Sequence, residues 1–333
     1  MATIFKHKNA LISNLMAIAY IVTAYLAGLW LMLSDTVVFN VLGIFIFAHA
    51  MIIAAYLIHD CAHYSIFKNN KYHRYLAEVL LWICGSSYSD FDSIRHKHFR
   101  HHADNADVVS FDFRVRILKY PRLLKIIRFL EWMYIPAMEI VMHALVIILP
   151  FVKDSRKNFR VRIITMLLLR TLFFVALASI SIKILILYPV SYIIFLIVMR
   201  FMDIHQHTYE LFETLDKERG SEAKKFDHEF EKTNTYSNLI SIKHPWLNLL
   251  VLNFPYHNAH HEHPIRSWHL LPELHKELYG SDEAQVLHFR DLVKSYHRYR
   301  VARILNEDEI NLPVKEMKEN FIGVDGVSFL TAH

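Results

Sequence analysis

Four long apolar runs interrupt an otherwise polar chain, at residues 11–33, 37–58, 161–182 and 184–202. A helix needs roughly 20 apolar residues, at about 1.5 Å rise each, to cross the hydrocarbon of a bilayer. Each run approaches or exceeds that length. Only Ser34-Asp35-Thr36 separates the first two, which predicts a tight helical hairpin. The third and fourth part near Lys183, with Pro189 beyond, and predict a second hairpin. Arg170 falls deep inside the third run and needs a partner from elsewhere. Arg200 lies near the end of the fourth, where a long side chain can reach the interface. The expected fold is all-α: a multi-pass membrane protein with two transmembrane hairpins, about four spans, and a helical cap built from the polar segments.

Two shorter apolar stretches complicate this pattern. Residues 75–85, YLAEVLLWICG, are too short to cross. Residues 132–151 approach the length of a span but contain Pro136, Glu139 and His143. A fifth crossing there would put the histidine clusters near 59–102 and 257–261 on opposite sides of the membrane. Both stretches are therefore expected to lie at the interface. Past residue 203 the chain is polar with helical periodicity and has no repeat. The expected organisation is one membrane domain over 1–303 and a loosely ordered surface tail over 304–333.

Composition agrees with a membrane part plus a large polar part. The chain is 54% hydrophobic with only 7 Gly among 333 residues, too apolar for an average soluble domain, yet its 21% charged residues are too many for spans alone. Two cysteines, Cys61 and Cys84, exclude a disulfide framework and a cysteine-rich zinc or iron–sulfur site. The net charge of +5 comes with no nucleic-acid motif. Its basic residues gather between the hairpins: Lys68, Lys71, Arg74, Arg95, Lys97, Arg100, Arg114, Arg116, Lys119, Arg122, Lys125 and Arg128. The first hairpin turn has none, so both termini and the polar cap are expected on the cytoplasmic side. The opening MATIFKHKNALISN lacks a cleavable signal pattern and is expected to be retained.

The count of 23 His is the outlier, and no polyhistidine run accounts for it. Three clusters stand out: His59-Asp60-Cys61-Ala62-His63, His98-Phe99-Arg100-His101-His102 and His257-Asn258-Ala259-His260-His261. Residues three or four apart share a helix face, so each cluster can aim its imidazoles at one point. Three such clusters in one chain point to metal. Eight imidazoles exceed the roughly four ligands that zinc takes, and suit two six-coordinate ions with open positions. Imidazole itself accepts iron, zinc, copper or nickel. His261-Glu262-His263 is not the HExxH of zinc peptidases. Asp60, Asp104, Asp107 and Glu262 stand beside ligands and are candidates to orient them, as is His96. His49, within a span, reads as a hydrogen-bonded core residue, and His73 as a surface or interfacial one.

These motifs resemble those of the membrane fatty acid desaturase–hydroxylase superfamily. The resemblance rests on HDCAH at 59–63, HFRHH at 98–102 followed by Ala103-Asp104-Asn105-Ala106-Asp107, and YHNAHHEHP at 256–264. It extends in order and spacing over residues 15–275. It implies a di-iron centre with His59, His63, His98, His101, His102, His257, His260 and His261 as ligands. Family members draw a further ligand from the end of the fourth span, where this chain has Asp203, His205 and His207. His207 is the expected ninth ligand and His205 the alternative, because Asp203 and His207 lie about 40° apart around a continuing helix while His205 points elsewhere. Asp203 is similar to an asparagine that approaches one metal through water in acyl-coenzyme A desaturases, but it carries a charge.

The resemblance also implies the reaction. Dioxygen, reduced at iron with two electrons, removes hydrogen from an unactivated C–H bond of a fatty acyl chain, a task beyond any side chain. Desaturation is the leading outcome; decarboxylation to a terminal alkene or hydroxylation would use the same ligands. No ferredoxin, flavin or cytochrome domain is legible, so a separate protein (a ferredoxin, a rubredoxin or a small cytochrome) is expected to supply electrons, docking on the basic face. The expected location is a bacterial inner membrane rather than the endoplasmic reticulum. The rival class is a non-enzymatic metal transporter or haem-binding subunit. A transporter would hold its ligands near the bilayer midplane, whereas these clusters sit at span ends and in polar segments; haem would need only four of the histidines.

Overall fold

The structure is a computed structural model that describes residues 4–7, 10–209, 212–215, 226–280, 282, 285–304 and 329–332. Its first elements are α1 (Ala10–Leu33), α2 (Val37–Ala62), α3 (Asn70–Ile83) and α4 (Phe91–Asp104). A short strand β1 (Asp107–Val109) follows, then α5 (Arg114–Ile117), α6 (Pro121–Trp132), α7 (Ala137–Val152), α8 (Arg160–Ile180) and α9 (Ile184–Ile204). Strand β2 (Phe212–Thr214), α10 (His228–Asn234), α11 (His257–Glu262), α12 (Leu271–Tyr279) and α13 (Phe289–Tyr299) complete the chain. The all-α reading holds, since the only named strands among the described residues are β1 and β2, which pair in parallel from Asp107↔Phe212 to Val109↔Thr214. Among the described residues, four helices are long and apolar enough to cross a membrane: α1, α2, α8 with the 3-10 turn ahead of it, and α9. Helix α3, at 14 residues, and α7, at 16, are shorter than a span.

The chain forms two compact units. One comprises residues 1–91 and 143–198 with residue 333, and the other 92–142 and 199–332. In the first, α1 and α2 make the expected hairpin, and two glycines set how closely they approach. A Cβ on Gly43 would lie 2.8 Å from the Gly28 carbonyl oxygen, and one on Gly28 would lie 2.8 Å from the Phe47 Cβ. Buried Asn40 closes the turn by donating from Nδ2 to the carbonyls of Leu31 (3.0 Å), Met32 (3.1 Å) and Ser34 (2.7 Å). Leu31 and Met32 lie in the last turn of α1, where carbonyls run out of i+4 helical donors. Arg170 finds the partner that the sequence left open: its guanidinium lies 3.9 Å over the Trp82 ring, donates to the Trp82 carbonyl, and reaches the Tyr188 hydroxyl at 3.3 Å. At the polar end of α8, Arg162 pairs with Glu78 at 2.5 Å and donates to the Ser87 and Ser89 carbonyls. His49 is bonded to Tyr20 as expected, but the pair is not in a core: His49 is half-buried and Tyr20 is exposed. His73, expected at the surface, is fully buried, where its Nε2 accepts from the Ile66 and Phe67 amides. It ties down the segment that leaves α2, a role set by loop geometry rather than local polarity.

The second unit corrects the reading of Arg200. Its side chain does not snorkel outward; it is 1% exposed and faces Glu131 at 3.6 Å and Glu139 at 4.0 Å. Two acids from separate helices compensate the charge in place of solvent. Leu239, Tyr256, Ala259, Leu271, Leu274 and Val286 form the apolar cluster beneath α11. The expected surface tail also differs: Leu330, Thr331 and Ala332 are buried, while 305–328 lie outside the described residues.

Candidate metal centre

Each histidine cluster sits on a helix end or a short helix. Helix α2 runs beyond its apolar stretch, so His59 lies in its last turn and His63 caps it. The two rings are 5.0 Å apart, as an i, i+4 pair should be. Both belong to the first unit. In the second unit, α4 carries His98, His101 and His102, with the His98 and His102 rings 4.7 Å apart. Helix α11 is only six residues long and buries His257, His260 and His261. Leu252 and Asn253 precede it in the left-handed region, at φ 52° and 57°. Side-chain-bearing residues adopt that conformation at a cost, and such outliers gather at functional sites.

Four imidazoles of the second unit converge. One ring nitrogen each from His101, His207, His257 and His261 lies within 4.8 Å of all the others. His207 Nε2 is 3.0 Å from His101 Nε2 and 2.8 Å from His257 Nε2. Nitrogens bound to one ion at about 2.0–2.1 Å with bond angles near 90° are separated by about that much. Alongside, the Nε2 atoms of His98 and His102 are 3.1 Å apart, and the His260 ring lies 5.2 Å from that of His102.

The other ring nitrogens explain why the Nε2 atoms face inward. His101 donates from Nδ1 to the Ala106 carbonyl at 2.9 Å. His207 Nδ1 lies 3.3 Å from the Thr235 hydroxyl, and His261 Nδ1 lies 2.7 Å from Glu231 Oε1. A proton held on Nδ1 leaves the lone pair on Nε2, the usual arrangement behind a metal-bound imidazole. His261 Nε2 is buried without a hydrogen-bond partner, which an ion would relieve. Burial keeps these rings neutral, the form that binds metal. It drives His101 down to about 4 and His260 to about 3, and holds His207 and His261 well below the usual histidine range. An all-imidazole donor set suits iron, zinc, copper or nickel.

His207 reaches this group by a route that the sequence reading did not foresee. Helix α9 ends at Ile204, so Asp203 and His207 do not share a helical face. His207 instead forms an isolated antiparallel bridge with Thr235, and that pairing turns its ring toward His101 and His257. His205 has both nitrogens engaged: Nδ1 donates to the Phe201 carbonyl at 2.8 Å, and Arg303 Nη2 lies 3.3 Å from Nε2. Asp203 keeps a buried Oδ1 without a hydrogen-bond partner.

The acids that adjoin the clusters in sequence make these contacts among others. Asp60 accepts from the Ser65 hydroxyl at 2.6 Å, Asp104 accepts from Arg100 Nε at 2.8 Å, and Asp107 opens β1. Glu262 pairs with exposed His228 at 3.3 Å, and His96 is exposed. A carboxylate that touches a candidate ligand is Glu231 on α10, 30 residues from His261 in sequence. Glu231 Oε1 also lies 4.0 Å from His102 Nδ1. Burial pushes its carboxyl up to about 7; His228 opposes that shift and Glu262 adds to it. Nothing local in His228-Glu229-Phe230-Glu231 separates Glu231 from Glu229.

Among known families, the fatty acid desaturase family model matches residues 36–292. Neither the comparison with curated proteins nor that with solved structures finds a match.

Proposed function

Since the chain belongs to the fatty acid desaturase family, we propose that it uses two iron ions and dioxygen to oxidise a fatty acyl chain, with desaturation as the outcome. The family and the histidine clusters carry fatty acyl oxidation in general. The single observation behind the metal reading is the convergence of His101, His207, His257 and His261, with the Nδ1 atoms of three of them engaged by protein groups. The proposed ligands are His59, His63, His98, His101, His102, His207, His257, His260 and His261, the first two counted on the family's three-box pattern.

When bound, iron supplies dioxygen reduction and hydrogen removal from an unactivated C–H bond. The protein's part is preparation. Ala106 and Glu231 accept from the Nδ1 atoms of His101 and His261, and Thr235 engages Nδ1 of His207, so the Nε2 sides of three rings face one point before any ion arrives. Burial excludes the protons that would compete for those lone pairs. His205, committed to Phe201 and Arg303, is assigned a structural role in place of ligation. Asp203 is assigned to the surroundings of the centre.

A separate ferredoxin, rubredoxin or small cytochrome is proposed as electron donor. The termini and centre are proposed to face the cytoplasm of a bacterial inner membrane, with α7 at the interface. A reporter fused near residue 155 should therefore read as cytoplasmic.

The deciding experiment expresses the chain in a host supplied with fatty acids of several lengths and analyses the products. Internal alkenes support desaturation; terminal alkenes with loss of carbon dioxide or hydroxylated acids replace it with the sister reactions. An intense Soret band with no iron-dependent oxidation would overturn the reading in favour of haem binding.

A further inference from the structure

The described residues at the C-terminal end carry an observation that the histidine cluster does not require. In the second unit, Leu330, Thr331 and Ala332 are 1%, 0% and 0% exposed. The Thr331 carbonyl accepts from Lys97 Nζ at 3.0 Å and from Ser110 Oγ at 2.9 Å. The Thr331 hydroxyl lies 3.3 Å from the same Nζ. The Phe329 ring lies 6.2 Å from the ring of His98. Lys97 is only 3% exposed, and 234 residues separate it from Thr331.

Lys97 immediately precedes His98 on α4 and shares a helix face with His101, four residues on. Whatever holds its side chain therefore constrains the rotation of α4 about its axis, and with it the directions of His98, His101 and His102. An ammonium taken out of water must find acceptors, and Thr331 offers two. Ser110, just past β1, anchors the far end of the same stretch. The tetrapeptide thus touches the segment carrying the second histidine cluster before, beside and after its histidines.

We propose that Phe329–Ala332 is a clamp on α4: it fixes Lys97 and Ser110 and thereby positions His98, His101 and His102 for the ion. The proposal rests on the reading of those histidines as ligands. Lys97 and Thr331 are positioning residues and touch no reacting atom.

The test uses full-length protein in detergent, stripped of metal and reloaded with Co2+. It reads the visible d–d spectrum and the Co2+ affinity by chelator competition. A chain lacking residues 329–333 should remain folded by circular dichroism and elution volume, yet bind Co2+ at least about tenfold more weakly, within the range expected for outer-shell changes, with an altered d–d band. A synthetic peptide of residues 329–333 should restore both. Lys97→Met should show most of the same loss, and truncation on top of it should add only the share carried through Ser110, since both remove the Lys97–Thr331 contact. A merely structural tail would lower the melting temperature and leave the spectrum and affinity of folded protein unchanged; that result overturns the clamp. Should the truncated chain not fold, folded Lys97→Met and Ser110→Ala proteins decide the matter in the same way. His101→Ala separates the two readings: if it too leaves Co2+ binding intact, the ligand assignment fails, and if it abolishes binding while the tail variants do not, only the clamp fails.

Discussion

Removing the Glu231 carboxylate should weaken metal binding without touching a ligand. Glu231 makes one direct contact, 2.7 Å from Oε1 to His261 Nδ1, and stands 4.0 Å from His102 Nδ1. That contact keeps the proton on Nδ1 and the His261 lone pair on Nε2, whose surroundings offer it no hydrogen bond. In Glu231→Ala the ring can rotate or take its other tautomer, and an ion must reverse that change on binding. Losing such an outer partner costs about 10- to 100-fold in affinity, or roughly 1.4–2.8 kcal/mol at 1.4 kcal/mol per decade. Glu231→Gln retains an acceptor oxygen but no charge, so its loss should fall near the lower end. The 4.0 Å approach to His102 is too long for a hydrogen bond and adds only electrostatic attraction. The assay is chelator competition with Fe2+ under anaerobic conditions, alongside Glu229→Ala on the same short helix as a control. Wild-type affinity in Glu231→Ala, or equal losses at 229 and 231, would refute the reasoning.

Three further outcomes follow from the geometry. His207→Ala should lose iron with the protein still folded, whereas His205→Ala should keep its iron and lose stability by removing one of the groups that buried Arg303 Nη2 faces, another being Ser295 Oγ at 3.0 Å; anaerobic metal analysis of the folded fractions separates them. Metal-stripped protein should lose stability as the pH falls from about 6.5 toward 4. In the folded state His101 takes a proton only near 4 and His260 near 3, so the unfolded chain binds more protons across that window. Melting temperatures should drop through it, and His101→Asn should flatten the slope. Gly43→Leu should destabilise the first hairpin by about 1–3 kcal/mol, since even its Cβ would meet the Gly28 carbonyl at 2.8 Å; an unchanged unfolding midpoint in denaturant would contradict the close approach.

Relations between neighbouring residues carry much of this fold. Span length and apolarity follow from local composition, so the four long helices agree with the runs to within a few residues. The i, i+3 and i, i+4 spacings bring His98 to His102 and His257 to His261 because a helix repeats every 3.6 residues. The same local logic failed where the helix stopped. Periodicity carried α9 on to His207, but the structure ends it at Ile204 and orients His207 through Thr235, 28 residues later. The partners that orient and compensate these groups come from distant parts of the chain: Glu231 for His261, Glu131 and Glu139 for Arg200, Trp82 and Tyr188 for Arg170, and Thr331 for Lys97. A buried charge or a fixed tautomer needs an acceptor in space, and the chain can deliver one from any distance along itself, so adjacency in sequence is no guide to which residue it will be.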